Sequence, residues 1–365
     1  MNSRRKIGIV TAGGDCPGMN AVVRAVAKTA ILKHGFEVLG VEDGFEGLVS
    51  GRWRPLTYED VSGIINLGGT ILGTSNTASP YFYSKKNAGK TEHSDESRTA
   101  LKNIERMGIE YLVCVGGDGS LTVAERMSRD GVHIVGIPKT IDNDVVGTDI
   151  SVGFDTALSI ATEAIDRVHS SAQSHHRVMI VEVMGRNAGW LALYSGVAGG
   201  GDIVLIPEIP FDLQVVVDRV KERSRRGKRF TIVVISEGAR QVGGEVVVRR
   251  LVNESVDPVR LGGIGFVLAD QIEKLSDLET RALVLGHLLR GGSPTAADRV
   301  LATRLGSRAM DLVLSGESGC MLGVKAGEIV KVPLNEVAGR QKTVGADYPL
   351  IKSAESVGTC FGNRC

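Results

Sequence analysis

The sequence predicts an α/β protein of two domains, with mostly parallel sheets covered by helices on both faces. Short apolar runs rich in β-branched residues are each followed by a loop rich in glycine, aspartate and arginine, and then by a helical stretch. This alternation is typical of parallel sheets with right-handed crossovers. The chain has 365 residues, which at roughly 100–200 residues per domain indicates about two domains.

Six predicted strands carry the pattern, and each is followed by its own loop. In chain order these pairs are Lys6–Val10 with Thr11–Gly18, Tyr111–Val115 with Gly116–Ser120, His133–Ile137 with Pro138–Asp144, Arg177–Val183 with Met184–Gly189, Phe230–Ile235 with Ser236–Ala239, and Arg281–Leu285 with Gly286–Pro294. Helices are predicted over Met19–Ile31 and from about Leu121, and Ser79–Arg98 is predicted to be an exposed, mobile insertion. Ligands of such sheets bind beyond the carboxyl ends of the strands, so the pattern favours an enzyme.

Charge and apolar content limit the classes of partner. The formal net charge is +1, and no block of like charge suggests nucleic-acid or membrane binding. No stretch approaches the ~20 apolar residues of a membrane span, and no signal peptide is visible. The five cysteines lack CxxC spacing, so neither a disulfide framework nor a zinc site is expected, and a cytoplasmic location fits.

Two glycine-rich loops are candidate phosphate sites. Gly13–Gly18 joins a strand to a helix, where free backbone N–H groups and the positive helix end can hold a phosphate. It matches neither a P-loop nor a dinucleotide fingerprint, and alone it could also be a tight structural turn. Gly116–Ser120 is similar, and its Asp118 is a hard oxygen ligand for Mg²⁺. The structural alternative is that Asp118 caps the helix from Leu121.

The segment Pro138–Asp144, with the sequence PKTIDND, carries the most chemical information. In an extended loop the carboxylates of Asp142 and Asp144 project to the same side. A kinase needs one acid to accept the proton of the attacking hydroxyl and others to hold metal. An Asx-turn made by Asp142 or Asn143 is the structural alternative.

Four arginines lie at the start or just past the end of predicted strands. Guanidinium groups pair with phosphate oxygens through two hydrogen bonds, so such positions favour phosphate binding over surface ion pairs. These residues are Arg177, Arg186, Arg281 and Arg290. The run from His287 to Gly292 adds a possible cradle for a sugar phosphate.

Taken together, these loops resemble those of the 6-phosphofructokinase family, in the same order and along nearly the whole chain. The segments that carry the resemblance are Gly13–Asn20, Gly116–Ser120, Pro138–Asp144, Val183–Gly189, Ser236–Gly238 and Leu285–Pro294. The resemblance implies a glycolytic phosphotransferase that moves the γ-phosphate of ATP to the 1-hydroxyl of fructose 6-phosphate. It also implies Mg²⁺ as cofactor and an allosteric homo-oligomer, either a tetramer or a dimer.

The family fold consists of two Rossmann-like three-layer domains with the active site in the cleft between them. By resemblance, residues 1–153 and 288–340 form the larger, nucleotide-binding domain. Residues 154–287 and 341–365 form the smaller domain, which binds the sugar phosphate. These boundaries come from the resemblance and not from the composition of the chain.

The resemblance also assigns roles to residues. Asp142 is the implied base, Asp118 the implied Mg²⁺ ligand, and Asp144 a supporting acid. The residues implied to bind the ATP phosphates are Gly14, Gly117, Asp118, Gly119 and Ser120. Those implied to bind the sugar phosphate are Thr140, Ile141, Asp142, Met184, Gly185, Arg186, Glu237, His287, Leu288, Leu289 and Arg290, with Arg177 and Arg281 reaching in from a neighbouring subunit.

Departures from the family pattern bear on the donor and on regulation. Asn76 takes the place of an arginine that bridges the two phosphates, Glu42 that of an adenine-stacking tyrosine, and His169 that of an effector-binding arginine. Pyrophosphate enzymes carry aspartate at the position of Gly119. Because glycine adds no charge there, Gly119 favours ATP as the donor. Lys139 instead matches the pyrophosphate enzymes.

Three alternatives to an ATP-dependent enzyme remain open at this level. They are a pyrophosphate-dependent phosphofructokinase, another kinase with the GGDG sequence that acts on NAD or lipid, and a non-catalytic regulatory subunit of the same fold. The presence of Asp118, Asp142 and Asp144 argues against the last of these.

Overall fold

The computed structural model describes residues 5–87, 90–251 and 259–365. Its strands, in chain order, are β1 Lys6–Thr11, β2 Glu37–Val41, β3 Trp53–Pro55, β4 Tyr83–Asn87, β5 Lys90–Ser94, β6 Tyr111–Gly116, β7 Ile134–Pro138, β8 Val178–Val183, β9 Ile203–Leu205, β10 Thr231–Ser236, β11 Val248–Leu251, β12 Val259–Leu261, β13 Thr280–Val284, β14 Cys320–Lys325 and β15 Glu328–Pro333.

The helices alternate with these strands over most of the chain. They are α1 Met19–Lys28, α2 Phe45–Ser50, α3 Ser97–Met107, α4 Asp118–Arg129, α5 Phe154–His175, α6 Trp190–Ala198, α7 Leu213–Arg225, α8 Ile264–Ser276, α9 Ala296–Leu314, α10 Leu334–Val337 and α11 Pro349–Ser356. A π-helical turn, Thr29–Lys33, continues α1, and a 3₁₀ helix, Gly286–Arg290, follows β13. Within the described residues, no helix combines the length and apolarity needed to cross a bilayer.

The larger sheet has the strand order β15-β14-β7-β6-β1-β2-β3. Its central strands β14, β7, β6, β1 and β2 are parallel, and the edge strands β15 and β3 are antiparallel to their neighbours. The five central strands are buried along nearly their whole length, as expected when helices cover both faces of a sheet. Helices α1 and α9 share one buried core with the sheet, and α2, α3 and α4 share the other.

The smaller sheet has the order β13-β8-β10-β9 and is parallel throughout. Helices α5 and α6 pack on one face, and α7 and α8 pack on the other. The α/β prediction with mostly parallel sheets is therefore confirmed. The strands of the larger sheet lie at 6–138 and 320–333 and those of the smaller sheet at 178–284. The exact domain boundaries remain a prediction.

The structure adds detail to two sequence expectations. The segment expected to be a mobile insertion forms the antiparallel hairpin β4–β5, although residues 88 and 89 at its tip lie outside the described residues. The hydroxyl of Tyr83 donates to Glu46 Oε1 at 2.7 Å, which ties the hairpin to α2. No disulfide framework was expected, and Cys360 and Cys365 form one local disulfide, with their Cα atoms 4.9 Å apart. The thiols of the other three cysteines are free and buried.

Candidate active site

Three of the predicted loops meet at one edge of the larger sheet. They follow β1, β6 and β7, which are adjacent and parallel, so their carboxyl ends lie side by side. Register pairs Thr11 with Val115 and Gly116 with Pro138 at these ends. The sheet therefore brings together the two glycine-rich loops and the PKTIDND segment, as parallel topology requires.

The loop after β6 enters helix α4 earlier than predicted. The helix begins at Asp118 and not at Leu121, and the Leu121 N–H already donates to the Gly117 carbonyl at 2.9 Å. The N-cap position is occupied by Gly117, so the structural alternative, in which Asp118 is the N-cap, does not hold. The amides of Asp118, Gly119 and Ser120 are consequently the free first-turn donors of a twelve-residue helix, an arrangement that suits phosphate.

Lys139 links the loop after β7 to the loop after β1. Its side chain is only 2% exposed, and its Nζ donates to the Gly14 carbonyl at 2.6 Å. Burial is the main cause that lowers the pKa of Lys139, with the charge of Arg290 acting in the same direction. Among the described residues, no carboxylate is hydrogen-bonded to this buried lysine, and its printed bond is to a neutral carbonyl. That imbalance makes the space beside Gly14 attractive to phosphate.

The PKTIDND segment is extended as far as Lys139 and then bends at Ile141 and Asp142, so only its first part is the extended loop that was predicted. Asn143 adopts a left-handed conformation with φ of 51°. Its Oδ1 accepts from the Ser151 N–H at 3.0 Å, and its Nδ2 donates to the Asp149 carbonyl at 3.0 Å. The Thr140 hydroxyl accepts from the Asp142 N–H at 3.1 Å. The local hydrogen bonds are thus made by Asn143 and Thr140, which leaves the two aspartates to face the site.

Asp142 and Asp144 each hold a buried Oδ1 that has no hydrogen-bond partner among the described residues. Burial is the main cause that raises the pKa of Asp142, and the charge of Arg290 opposes it. Burial, followed by the charges of Asp142 and Asp118, raises the pKa of Asp144 to about 8. Unpaired buried carboxylates of like charge are costly. A bound cation would relieve that cost.

Arg290 links the loop after β13 in the smaller sheet to the loop after β1 in the larger sheet. It closes the 3₁₀ helix after β13, and its Nη1 donates to the Asp15 carbonyl at 2.9 Å. A Cβ at Gly14 would lie 2.7 Å from that nitrogen, so glycine is needed for the guanidinium to approach. Burial, followed by the charge of Asp142, raises the pKa of Glu237 to about 7. Glu237, Arg290 and Asp142 therefore share one electrostatic environment.

The remaining predicted sugar-phosphate residues are distributed over the same region. Met184 and Arg186 are half-buried, and between them Gly185 has φ of 134°, which a side chain would strain. Leu289 is fully buried in the core beneath the 3₁₀ helix, whereas His287 and Leu288 are exposed. Ile141 is also fully buried, so it supports the loop from below.

Arg177 and Arg281 lie apart from this group. They are at the amino ends of β8 and β13, opposite the carboxyl ends where the loops meet. Both pair with Glu279, at 2.6 Å each. A six-residue strand spans about 20 Å at ~3.3 Å per residue. Arg177, just before β8, therefore lies about 20 Å from the loop that follows that strand, and Arg281 lies near the same end of the sheet.

Two of the three departures from the family pattern have definite surroundings. Glu42 is half-buried and lies 3.7 Å from Arg54. The Nε2 of His169 lies 2.7 Å from the Gly199 carbonyl, so its ring is engaged within the fold. Asn76 is exposed, and Gly119 has nothing within 4 Å of the position of a Cβ.

Sequence reasoning missed one residue at the site. The Nε2 of Gln341 donates to Asp118 Oδ2 at 2.8 Å. Gln341 lies in an irregular stretch more than 220 residues from Asp118 in the chain, outside every motif. No local pattern could have identified it.

The residues present fit a divalent cation of the Mg²⁺ type. Carboxylate oxygens are available as ligands, and two of them are the unpartnered Oδ1 atoms of Asp142 and Asp144. No group of three or more His, Cys, Asp or Glu side chains forms a ready metal cage in the described part of the chain. Mg²⁺ does not need one, since it keeps several waters and binds one or two carboxylates together with substrate phosphates.

Comparison with known proteins decides the family. Residues 6–313 match the family model described as phosphofructokinase. The chain belongs to the phosphofructokinase family. The resemblance inferred from the loops is thereby confirmed, and with it the two-domain α/β architecture of that family.

Relatives of this phosphofructokinase include enzymes named for two different donors. A Clostridium perfringens protein named ATP-dependent 6-phosphofructokinase 2 is 47% identical over 365 residues, covering 100% of both chains. An Amycolatopsis methanolica protein named pyrophosphate--fructose 6-phosphate 1-phosphotransferase is 47% identical over 339 residues, covering 93% of this chain and 96% of that one. Overall sequence identity therefore does not distinguish the relatives named for ATP from those named for pyrophosphate. The phosphoryl donor has to be inferred from the residues of the site.

A solved structure of phosphofructokinase from Saccharomyces cerevisiae matches with a TM-score of 0.75 and 34% identity. The match covers 92% of this chain and 45% of the yeast chain. The chain thus spans less than half the length of that relative.

Proposed function

We propose that this phosphofructokinase is an ATP-dependent 6-phosphofructokinase, which transfers the γ-phosphate of ATP to the 1-hydroxyl of fructose 6-phosphate. The observation that carries the proposal is the meeting of Asp142 with Arg290 and the phosphate-binding loops at one sheet edge. The site thereby combines a proton acceptor, a cation for the sugar phosphate and amides for the nucleotide phosphates. These are the parts that phosphoryl transfer requires.

In this proposal Asp142 accepts the proton of the sugar hydroxyl. Its unpartnered buried Oδ1 is free to receive that hydrogen bond. The raised pKa of Asp142 makes it a better proton acceptor than an exposed aspartate, provided that nearby cations keep it ionised. Arg290 supplies one such charge within the structure.

Asp118 and Asp144 would hold Mg²⁺, which neutralises charge on the transferring phosphoryl group when it is bound. The free amides of Asp118–Ser120 and the Gly13–Gly18 loop bind the donor phosphates. Lys139 lies beside that loop through its bond to Gly14. Arg186, Glu237 and the 3₁₀ helix with Arg290 hold the sugar phosphate on the other side.

Arg177 and Arg281 are proposed to serve the active site of a neighbouring subunit. Their position near the amino ends of β8 and β13, away from the loops that follow these strands, supports this role. Strand β13 is an edge strand of that sheet among the described residues, with Leu283 38% and Phe266 55% exposed nearby. An exposed edge with apolar side chains suits an interface between copies of the chain. The proposed assembly is a tetramer or a dimer.

A shared site predicts complementation between two inactive variants. Subunits with Asp142→Ser and subunits with Arg177→Ala should each show little activity as homo-oligomers. Co-refolded at equal concentration, they should regain about a quarter of wild-type activity if mixing is random, since some sites combine an intact Asp142 with an intact Arg177. A tag on one variant verifies that mixed assemblies form. If such assemblies stay inactive, the cross-subunit role of Arg177 is contradicted.

The choice of donor is tested directly with purified chain, Mg²⁺ and fructose 6-phosphate. We expect a higher kcat/KM with ATP than with pyrophosphate, because the open space at Gly119 leaves room for the nucleotide. NAD and a diacylglycerol serve as acceptor controls and should remain unphosphorylated. Faster turnover with pyrophosphate than with ATP would show that pyrophosphate is the donor. No turnover with either compound would favour a regulatory subunit of the same fold. A cytoplasmic location is part of the proposal, as expected for a glycolytic enzyme.

A further inference from the structure

Residues 340–344, here called the C-terminal strap, connect loops of the two sheets. The Lys342 N–H donates to the Asp144 carbonyl at 2.7 Å, on the side of the larger sheet. The Lys342 carbonyl accepts from Trp190 Nε1 at 2.7 Å, and the Val344 N–H donates to Glu208 Oε1 at 2.8 Å, both on the side of the smaller sheet. The strap is therefore held at several points within one short segment.

The side chain of Gln341 projects from this strap into the acidic part of the site. Its Nε2 lies 2.8 Å from Asp118 Oδ2 and 3.4 Å from Asp144 Oδ2. Its Oε1 accepts from Asn187 Nδ2 at 3.0 Å. One carboxamide thus bridges two acids of the larger sheet and the loop after β8 in the smaller sheet.

The position of Nε2 has a chemical consequence. The Nε2 group lies between two carboxylates, at a place where a small cation could bind. A neutral N–H compensates like charges only weakly compared with a divalent ion. When an ion binds these carboxylates, an N–H directed at them would compete with it.

We propose that Gln341 is a positioning residue of the metal site, and that it exchanges its N–H for its oxygen when a divalent ion binds. A half-turn of the carboxamide replaces Nε2 by Oε1 with almost no change in shape. It then offers an oxygen to the ion or to one of its waters. This inference rests on the proposed function only in assuming that a divalent ion binds between Asp118 and Asp144.

The same half-turn involves Asn187. After it, Gln341 Nε2 faces Asn187, whose own amide must turn to present Oδ1 as acceptor. Asn187 directly follows Arg186 in the loop after β8, which is the loop proposed to hold the sugar phosphate. The pair of amides therefore connects occupancy of the metal site to that loop.

The test measures Mn²⁺ affinity by electron paramagnetic resonance, with a non-hydrolysable ATP analogue present and absent. Gln341→Leu keeps the size of the side chain and removes both polar atoms, and we expect Mn²⁺ affinity to fall about 10-fold, as for loss of other residues that support metal ligands. Gln341→Glu keeps an oxygen at the same place and should bind Mn²⁺ at least as tightly as the wild type.

Gln214→Leu is the matched control. Gln214 is exposed on α7, and its Nε2 donates to Asp218 Oδ1 at 2.9 Å, so it makes the same kind of bond away from the site. Its replacement should leave Mn²⁺ affinity unchanged. If Gln341→Leu binds Mn²⁺ as tightly as the wild type or more tightly, the amide acts only as a competitor of the ion, and the proposal is wrong.

A second variant tests the link to the other sheet. Asn187→Ala should weaken Mn²⁺ binding by a smaller factor, and should add nothing when combined with Gln341→Leu, because Asn187 acts through Gln341. Additive losses in the double variant would remove Asn187 from the proposal. These binding measurements are independent of turnover, so a failure of the proposed kinase activity in the wild type would be distinguished from a failure of the role of Gln341.

Discussion

Replacing Asp142 by serine should lower kcat by about 10³- to 10⁴-fold, while the affinity for fructose 6-phosphate stays within a few-fold of wild type. A positioned general base contributes roughly this factor to proton transfer. Serine keeps a hydrogen-bonding group but cannot accept the hydroxyl proton at neutral pH. The backbone of the loop should persist, because its turn is held by Asn143 and Ser151.

The measurement is steady-state kinetics with equilibrium binding of the sugar phosphate by calorimetry. Asp149→Ser is the matched control, since Asp149 lies on the same crossover, is exposed, and its carboxylate accepts from the Ala326 N–H at 2.8 Å. That variant should keep near-normal kcat. Near-normal turnover of Asp142→Ser, with binding intact, would remove Asp142 from the role of base.

Replacing Gly119 by aspartate should reduce kcat/KM for ATP by about 10- to 100-fold, with a much smaller change in fructose 6-phosphate binding. A second negative charge next to the donor phosphates raises their binding free energy by about 1–3 kcal/mol at the effective dielectric of a protein surface. The fold should tolerate the change, because a Cβ at this position meets nothing within 4 Å. Aspartate is also favourable in the first turn of a helix.

Gly119→Asn separates charge from size in this experiment. Asparagine has almost the shape of aspartate but no charge, so a loss seen with both variants reports bulk and a loss seen only with aspartate reports charge. Parallel kinetics with pyrophosphate should show a weaker effect, since that donor lacks the nucleotide. An unchanged KM and kcat for ATP in Gly119→Asp would contradict the proposed role of position 119 in donor choice.

The local sequence determined the strands and the chemistry of their loops. The six apolar runs ending in glycine, aspartate and arginine all became parallel strands with the polar residues at or beyond their ends. The first three loops met at one edge because β7, β6 and β1 are adjacent and parallel. Such features depend on residues that are neighbours in the chain, and these are what a single sequence displays.

Tertiary structure decided which of these residues act together. Asp118 had a possible role as a helix cap, and the structure shows instead that its carboxylate is engaged by Gln341. Asn143, not the aspartates, makes the hydrogen bonds that hold its loop. Arg290, which follows β13 of the smaller sheet, comes to lie against the loop after β1 through its bond to the Asp15 carbonyl. Contacts of this kind join residues far apart in the chain through packing and strand direction, and no local pattern encodes them.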